Sequence, residues 1–419
     1  MTTFKHLLIA AIFASSAFVD APSYLATGSI SLMGVLTIAF ALSIGALVFI
    51  NVQDSLAVLA QIWPLSLLFA FSVAQLLWDR FSTQAAQTLC LQWIFLGLIV
   101  LMMTAEREGF DGASIKSKLR AASLVAAGIY LVVFLFEGFG SEGIGAISFI
   151  TARSFALFAL LGMALFLADW VSGDRGSLWL AGALILLIAL SLSRTALVVS
   201  AVLIPLSRIR SFSSSDVKRL LIFGTIAVLI LYYLVFSIDA LRTRFLGSNS
   251  IEDFASGEAA IDTSGRLTAW AVTTSSYVDS PWLGQGPGSA NDLVDDVLYR
   301  LDLGHPLNEY LRFLHDEGAL GLFLLLLGYG QLVRRCWKAY RFALHAESPQ
   351  RSFYLATFLA LVASLLTMFT DNTASYIFVM GPLAIMVGLS LRYLQEQESS
   401  SIVAAQSDTA VDLVSGGAQ

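Results

Sequence analysis

The residues best suited to chemistry are a few arginines and one histidine. Arg194 is flanked by Ser191, Ser193 and Thr195 at the end of an apolar run, and Arg266 opens Gly265-Arg266-Leu267-Thr268-Ala269-Trp270. A guanidinium is a planar fork of donors that grips a phosphate or carboxylate bidentately, which an ammonium cannot match. Burying one without an anionic partner costs several kcal/mol. Arg242 and Arg244 lie in the same polar segment as Arg266 and join the candidates for anion binding. His305 opens Gly304-His305-Pro306-Leu307-Asn308-Glu309-Tyr310-Leu311-Arg312-Phe313-Leu314-His315. An imidazole titrates near neutrality and can take a proton from a hydroxyl. Pro306 suits a helix start, which puts His305 in the N-cap region of a helix where Asn308, Arg312 and His315 share one stripe. The bland readings stand beside these: an arginine that snorkels at a helix end, and a histidine that only caps.

Around these groups lie Ser193, Trp270, Tyr310, Asn308, Arg312 and the run Gly284-Gln285-Gly286-Pro287-Gly288, which would shape the site. The glycine run lacks the Lys-Ser/Thr of a phosphate loop and follows no strand, so by itself it signals a tight turn. Leu267, Trp270, Thr274, Tyr277 and Val278 fall on one helix face, as in a segment lying along a membrane interface. Cys90 and Cys336 should sit near opposite membrane faces, with no disulfide. No metal site or cofactor is expected.

The elements that must position these residues are membrane helices. The chain has 419 residues, 57% hydrophobic and 13% charged, with mean hydropathy +0.78, against about 25% charged in soluble domains. Apolar runs of about 20 residues recur along the chain, the length a hydrocarbon core requires. They are continuous rather than alternating, which excludes a barrel. The fold class is all-α, a polytopic membrane protein with about 12 transmembrane helices. The expected spans are 6–20, 25–50, 55–78, 85–105, 120–137, 150–170, 177–192, 194–208, 220–239, 307–329, 352–370 and 374–393. Residues 1–394 form a single transmembrane domain, with the large loop 240–306 between spans nine and ten. Residues 395–419 read as a disordered tail. The stretch Lys5 to Val19 resembles a signal peptide but reads as a retained first helix.

Orientation follows the Lys/Arg bias. Sixteen of the 24 basic residues, including all five lysines, fall on one side. The other eight are Arg80, Arg153, Arg194, Arg242, Arg244, Arg266, Arg300 and Arg312. The lysine-bearing side is cytoplasmic, so both termini are inside and the large loop is outside. Reading 178–207 as one helix would reverse every loop upstream, so two short helices with Ser193-Arg194-Thr195 at their turn are expected. Short interrupted segments of this kind often mark a binding site.

Over residues 180–330 the chain resembles the O-antigen ligase and polysaccharide polymerase superfamily of bacterial inner membranes. The resemblance rests on Leu192-Ser193-Arg194-Thr195-Ala196, Gly265-Arg266 with Trp270, Pro281-Trp282-Leu283-Gly284-Gln285-Gly286, and His305 to Leu311 leading to Glu317-Gly318 and Gly321. It implies metal-free, inverting glycosyl transfer from an undecaprenyl-pyrophosphate-linked glycan on the periplasmic side. Arg194 and Arg266 would match family arginines that bind the pyrophosphate, and His305 the base that activates the acceptor. Many relatives read His-x-His-Asn where this chain has His305-Pro306-Leu307-Asn308, so the second histidine is Leu307 here. The acceptor would be another lipid-linked repeat unit, for a polymerase, or lipid A-core, for a ligase. A flippase and a chain-length regulator are the protein partners such chemistry implies; nucleic acid is not. A secondary transporter or a non-enzymatic assembly partner also fits the span count, but one large loop breaks the symmetry that transporters show. Reporter fusions after Phe245 and Ala290 are expected to read periplasmic, and fusions after Ser214 and Ala343 cytoplasmic. A cytoplasmic signal from 245–290 would remove the site from the outer face.

Overall fold

The structure is a computed structural model that describes residues 2–27, 30–77, 82–105, 110–141, 143–144, 147–148, 150–209, 218, 222, 224–225, 265–298 and 304–416. The described chain is a helical membrane protein. Six helices are long and apolar enough to span: α3 (Leu32–Ile50), α6 (Thr83–Thr104), α7 (Gly112–Glu137), α8 (Ala152–Val171), α14 (Gly318–His345) and α16 (Ile377–Gly416). The pair α4 (Val52–Gln61) and α5 (Trp63–Gln75) is bent by 106° at its break, the form of a broken span or of a re-entrant loop. Pro64, within the first turn of α5, cannot continue a helix from α4 without losing a backbone donor. Shorter apolar helices are α1 (Thr2–Ala17), α9 (Arg175–Leu190), α10 (Arg194–Leu206) and α15 (Arg351–Thr367). Small hairpins pair β1 (Ala26–Thr27) with β2 (Ile30–Ser31) and β3 (Gly143–Ile144) with β4 (Ile147–Ser148).

The spans sort by what they touch. α8 and α16 are largely buried, and α8 packs on α7, α9 and α15 while α16 packs on α1, α6 and α14. α3 instead presents Val35, Ile38, Leu42 and Phe49 outward, and α7 presents Leu131, Leu135 and Phe136. In water such a surface would be an aggregation hazard. In lipid it is the expected outer face, because hydrocarbon is as apolar as the leucines it meets.

Three differences from the sequence reading matter. The expected ninth span, 220–239, lies outside the described residues apart from isolated positions. The expected tenth span, 307–329, is two helices: α13 (Glu309–Asp316), then a break, then α14. His315, Asp316 and Glu317 are each under 2% exposed, and such groups need polar partners that hydrocarbon does not supply. The break supplies them, with Gly318 at φ +69. Helix α16 also continues to Gly416, through residues expected to form a disordered tail.

Between α10 and α13 the described chain holds α11 (Arg266–Tyr277) and α12 (Ser289–Leu298), which pack on each other and on α13. The glycine run links them, and its backbone lies directly against the 315–318 turn. Gln285 N–H donates to His315 O at 3.0 Å, and Gly286 N–H to Asp316 O at 2.8 Å. Gly284 has φ +77, and a Cβ there would collide with the Asp316 carbonyl. Gly288, at φ +83, comes equally close to the Gln84 backbone of α6, whose carbonyl carbon would lie 2.6 Å from a Cβ. Gly284→Ala therefore combines a left-handed backbone with a backbone clash, and should cost on the order of 2 kcal/mol or more. A thermal melt of the detergent-solubilised variant measures this, and an unchanged Tm would contradict the packing.

Candidate functional site

The site is organised by the loop that joins α15 to α16. Helix α8 starts at the Thr151 cap and brings Arg153 into its first turn. From there Arg153 pairs with Asp371 through two nitrogens, one of them Nε to Oδ2 at 2.6 Å, and its Nη2 also donates to Asn372 Oδ1 at 2.6 Å. Asp371 is 1% exposed and Arg153 is 32% exposed, so the arginine reaches into open space while its partner stays buried. On one side of the same loop, Thr195 Oγ1 and Thr370 Oγ1 are hydrogen-bonded at 2.6 Å. On the other, Glu309 N–H donates to Met368 O at 2.9 Å and Ser375 Oγ to Glu309 Oε1 at 3.3 Å. One short loop thus ties the Arg194 turn, the Arg153 helix and the His305 segment together.

Two cavities meet at Arg153. The first, about 310 Å³, is lined by Ser191, Ser193, Arg194, Thr195, Arg266, Arg153 and Asp371 among others. The break between α9 and α10 creates it, as expected for this segment. Leu192 adopts φ +56, unusual for a non-glycine residue, and Ser193 forms the N-cap position of α10. Arg194 and Arg266 each begin a helix, α10 and α11. Helix N-termini add their partial positive charge to the guanidinium groups, which suits an anion.

The second cavity, about 480 Å³, is lined by His305 and by polar groups from several elements, including Asp20, Gln84, Asn291, Asn372 and Tyr376. The His305 ring is half-buried, and its Nδ1 is shielded from solvent with no hydrogen-bond partner among the described residues. Burial, then the positive charges of Arg312 and Arg153, lower its pKa to about 4, against opposition from Asp295 and Asp371. His305 is therefore neutral at physiological pH. The sequence places His305 in the N-cap region of a helix, but it is Asn308 that caps α13, accepting from Leu311 N–H at 3.1 Å. Pro306 lies outside that helix, and Leu307 turns the chain at φ +55. Trp270 holds this turn, donating from Nε1 to Pro306 O at 2.8 Å.

The remaining candidates have structural surroundings. Arg312 is 4% exposed and binds Glu309 at 2.6 Å and Asp316 at 3.5 Å. Asp316 in turn accepts from the backbone of Gly288 and Ala290 at 3.0 and 2.7 Å, so Gly284 and Gly286 shape the site through this turn. His315 is 1% exposed, with Nδ1 3.1 Å from Ser289 Oγ and Nε2 3.1 Å from Ser276 Oγ. Both its nitrogens are occupied. Tyr310 donates to Leu365 O at 2.8 Å and packs on Phe369. Arg242 and Arg244 lie outside the described residues. Sequence reasoning counted Arg153 only for topology and overlooked Asp20, Gln84, Asp371 and Asn372. Arg153 did belong to the all-arginine set opposite the lysines, and that was the one available signal.

These features define a helical membrane protein with an arginine-lined and a histidine-lined cavity that share Arg153 in their walls. Residues 178–326 match the family model described as O-antigen ligase, which supports a place for the chain in the O-antigen ligase and polymerase superfamily. No curated protein matches the chain. Arg194→Lys and Arg266→Lys keep the charge but lose the fork, so each should weaken binding of inorganic pyrophosphate by about tenfold. Calorimetry on the purified variants checks this; wild-type affinity in both would reduce the arginines to a topological role.

Proposed function

We propose that the protein transfers a glycan from a polyprenyl-pyrophosphate carrier to a sugar hydroxyl on the periplasmic face of a bacterial inner membrane, with both termini cytoplasmic. The observation that supports it most is the meeting of the two cavities at Arg153. A pyrophosphate in the Arg194–Arg266 cavity would place the sugar it carries near that junction, facing the His305 cavity. The acceptor oxygen attacks the anomeric carbon from the His305 side, and the bond from that carbon to the pyrophosphate oxygen breaks on the other, inverting the centre. The His305 imidazole takes the acceptor's proton. Arg194 and Arg266, joined by Arg242 and Arg244, stabilise the charge gathering on the leaving pyrophosphate. The leaving group is an anion already, so fixed guanidinium groups supply the main electrostatic help. Ser193 and Trp270 hold the two sides in register.

The acceptor we favour is another lipid-linked repeat unit, which makes the protein a polymerase of O-antigen or exopolysaccharide. Transfer to lipid A-core is the second reading, favoured by the description of the matching family. Single repeats on lipid A-core in a deletion strain indicate a polymerase, and accumulated long lipid-linked chains indicate a ligase.

His305→Ala should abolish release of polyprenyl pyrophosphate from a synthetic donor while donor binding persists, whereas His315→Ala should lower yield or Tm more than turnover. A base with pKa about 4 is protonated, and inactive, only below that pH. The acid limb of kcat/KM should therefore fall near pH 4, not near the unperturbed value of about 6.5. Full turnover in the His305 variant would mean another group is the base.

A further inference from the structure

The wall that α6 and α12 give to the second cavity has a chemistry of its own. Helix α6 turns Gln84, Gln87 and Thr88 toward it, positions that share one face by helical spacing. Asn291 reaches it from α12, fixed there because Gly288 lies against the α6 backbone. Asn291 is 4% exposed, yet its Oδ1 has no hydrogen-bond partner among the described residues. His305 Nδ1 is in the same condition. A buried polar atom left unpaired costs about 1–3 kcal/mol, so two residues carrying such atoms in the lining of one cavity favour a polar ligand there. Asp20 adds a carboxylate, 8% exposed and held by Thr151 N–H and Oγ1, the latter at 2.8 Å. Arg153, the cation among the described lining residues, already faces Asp371 and Asn372.

An anionic ligand would bring further acceptors to an Asn291 oxygen that needs a donor, and negative charge to a cavity that Asp20 lines. A sugar with free hydroxyl or acetamido groups brings the donors, while the side-chain amides of Gln84 and Gln87 can both give and receive. Resting on the glycosyl-transfer reading, we propose that this cavity is the acceptor subsite, and that Asn291, Gln84 and Gln87 bind the uncharged, hydroxyl-rich end of a glycan while Asp20 turns away phosphorylated sugars. Discrimination of this kind is strong because rejection leaves buried polar groups unpaired.

The test uses the full chain in nanodiscs and a panel of neutral disaccharides ending in hexose, deoxyhexose or N-acetylhexosamine, each with a phosphorylated counterpart. Binding is read by saturation-transfer NMR, and donor turnover is followed in the same samples. At least one neutral disaccharide should bind, its phosphorylated form about tenfold more weakly, with the gap narrowing in Asp20→Asn. Asn291→Leu and the double variant Gln84→Ala/Gln87→Ala should each weaken the neutral ligand by about tenfold at unchanged Tm. The double variant alters groups that line open space, so it keeps the test independent of folding at Asn291. Equal binding of phosphorylated forms, wild-type affinity in the double variant, or no binding by any disaccharide would overturn the proposal. Turnover without such binding would leave the transfer reading standing and remove this cavity as its acceptor subsite. Binding without turnover would support a sugar site and overturn the transfer reading.

Discussion

The pairing of Arg153 with Asp371 holds together the end of the bundle that carries the site. Asp371 is 1% exposed, and removing one partner of a buried pair typically costs about 3–5 kcal/mol. That penalty fixes α8 against the loop between α15 and α16. The same loop then takes up Thr195 on one side and Glu309 on the other. The arginine side is partly exposed, so the net stabilisation from the pair is smaller than a fully enclosed one would provide. Its value lies in geometry: the Arg194 turn and the His305 segment, more than a hundred residues apart in sequence, are referred to one fixed point.

A second fixed point lies beneath His305. Asp316 accepts backbone N–H groups from the glycine-rich linker and a guanidinium from Arg312. The glycines let backbone meet backbone, and that contact puts Asn291 and the start of α12 against α6. The polar cluster of Glu309, Arg312, Asp316 and Glu317 is thus a foundation for the site. Arg312 pairs with both Glu309 and Asp316, and Glu317 accepts from Ser72 and Gln92, partners that ionisable groups in a membrane protein need. Leu192 and Leu307, both at positive φ, stand within two residues of Arg194 and His305. Strain of this size persists only where the surrounding contacts over-determine the backbone, and it concentrates at functional sites.

The two histidines show how packing separates residues of one type. Both precede or lie in the same short helix, and both face the arginines by topology. His315 has its nitrogens taken by Ser289 and Ser276, whereas His305 lines a cavity and its Nδ1 has no hydrogen-bond partner among the described residues. The partners of His315 come from α11 and α12, so the segment 304–318 alone does not show that its nitrogens are taken.

The helical class and membrane character, the break at Ser193-Arg194, and the candidacy of Arg194, Arg266 and His305 were legible in the amino-acid sequence by itself. Hydropathy, glycine and proline placement, and the cost of a charge in lipid are local properties, and they act on a run of residues wherever it folds. Tertiary structure alone decided that Arg153 joins two cavities, that Asp371 and Asn372 anchor it, that Asp20, Gln84 and Asn291 line the space before His305, and that the expected tenth span breaks at Gly318. Each of those depends on which side chain or backbone a group meets from a distant part of the chain. A hydrogen-bond partner or a neutralising charge can come from any polar residue that packing brings within about 3 Å, and sequence spacing carries no record of that choice.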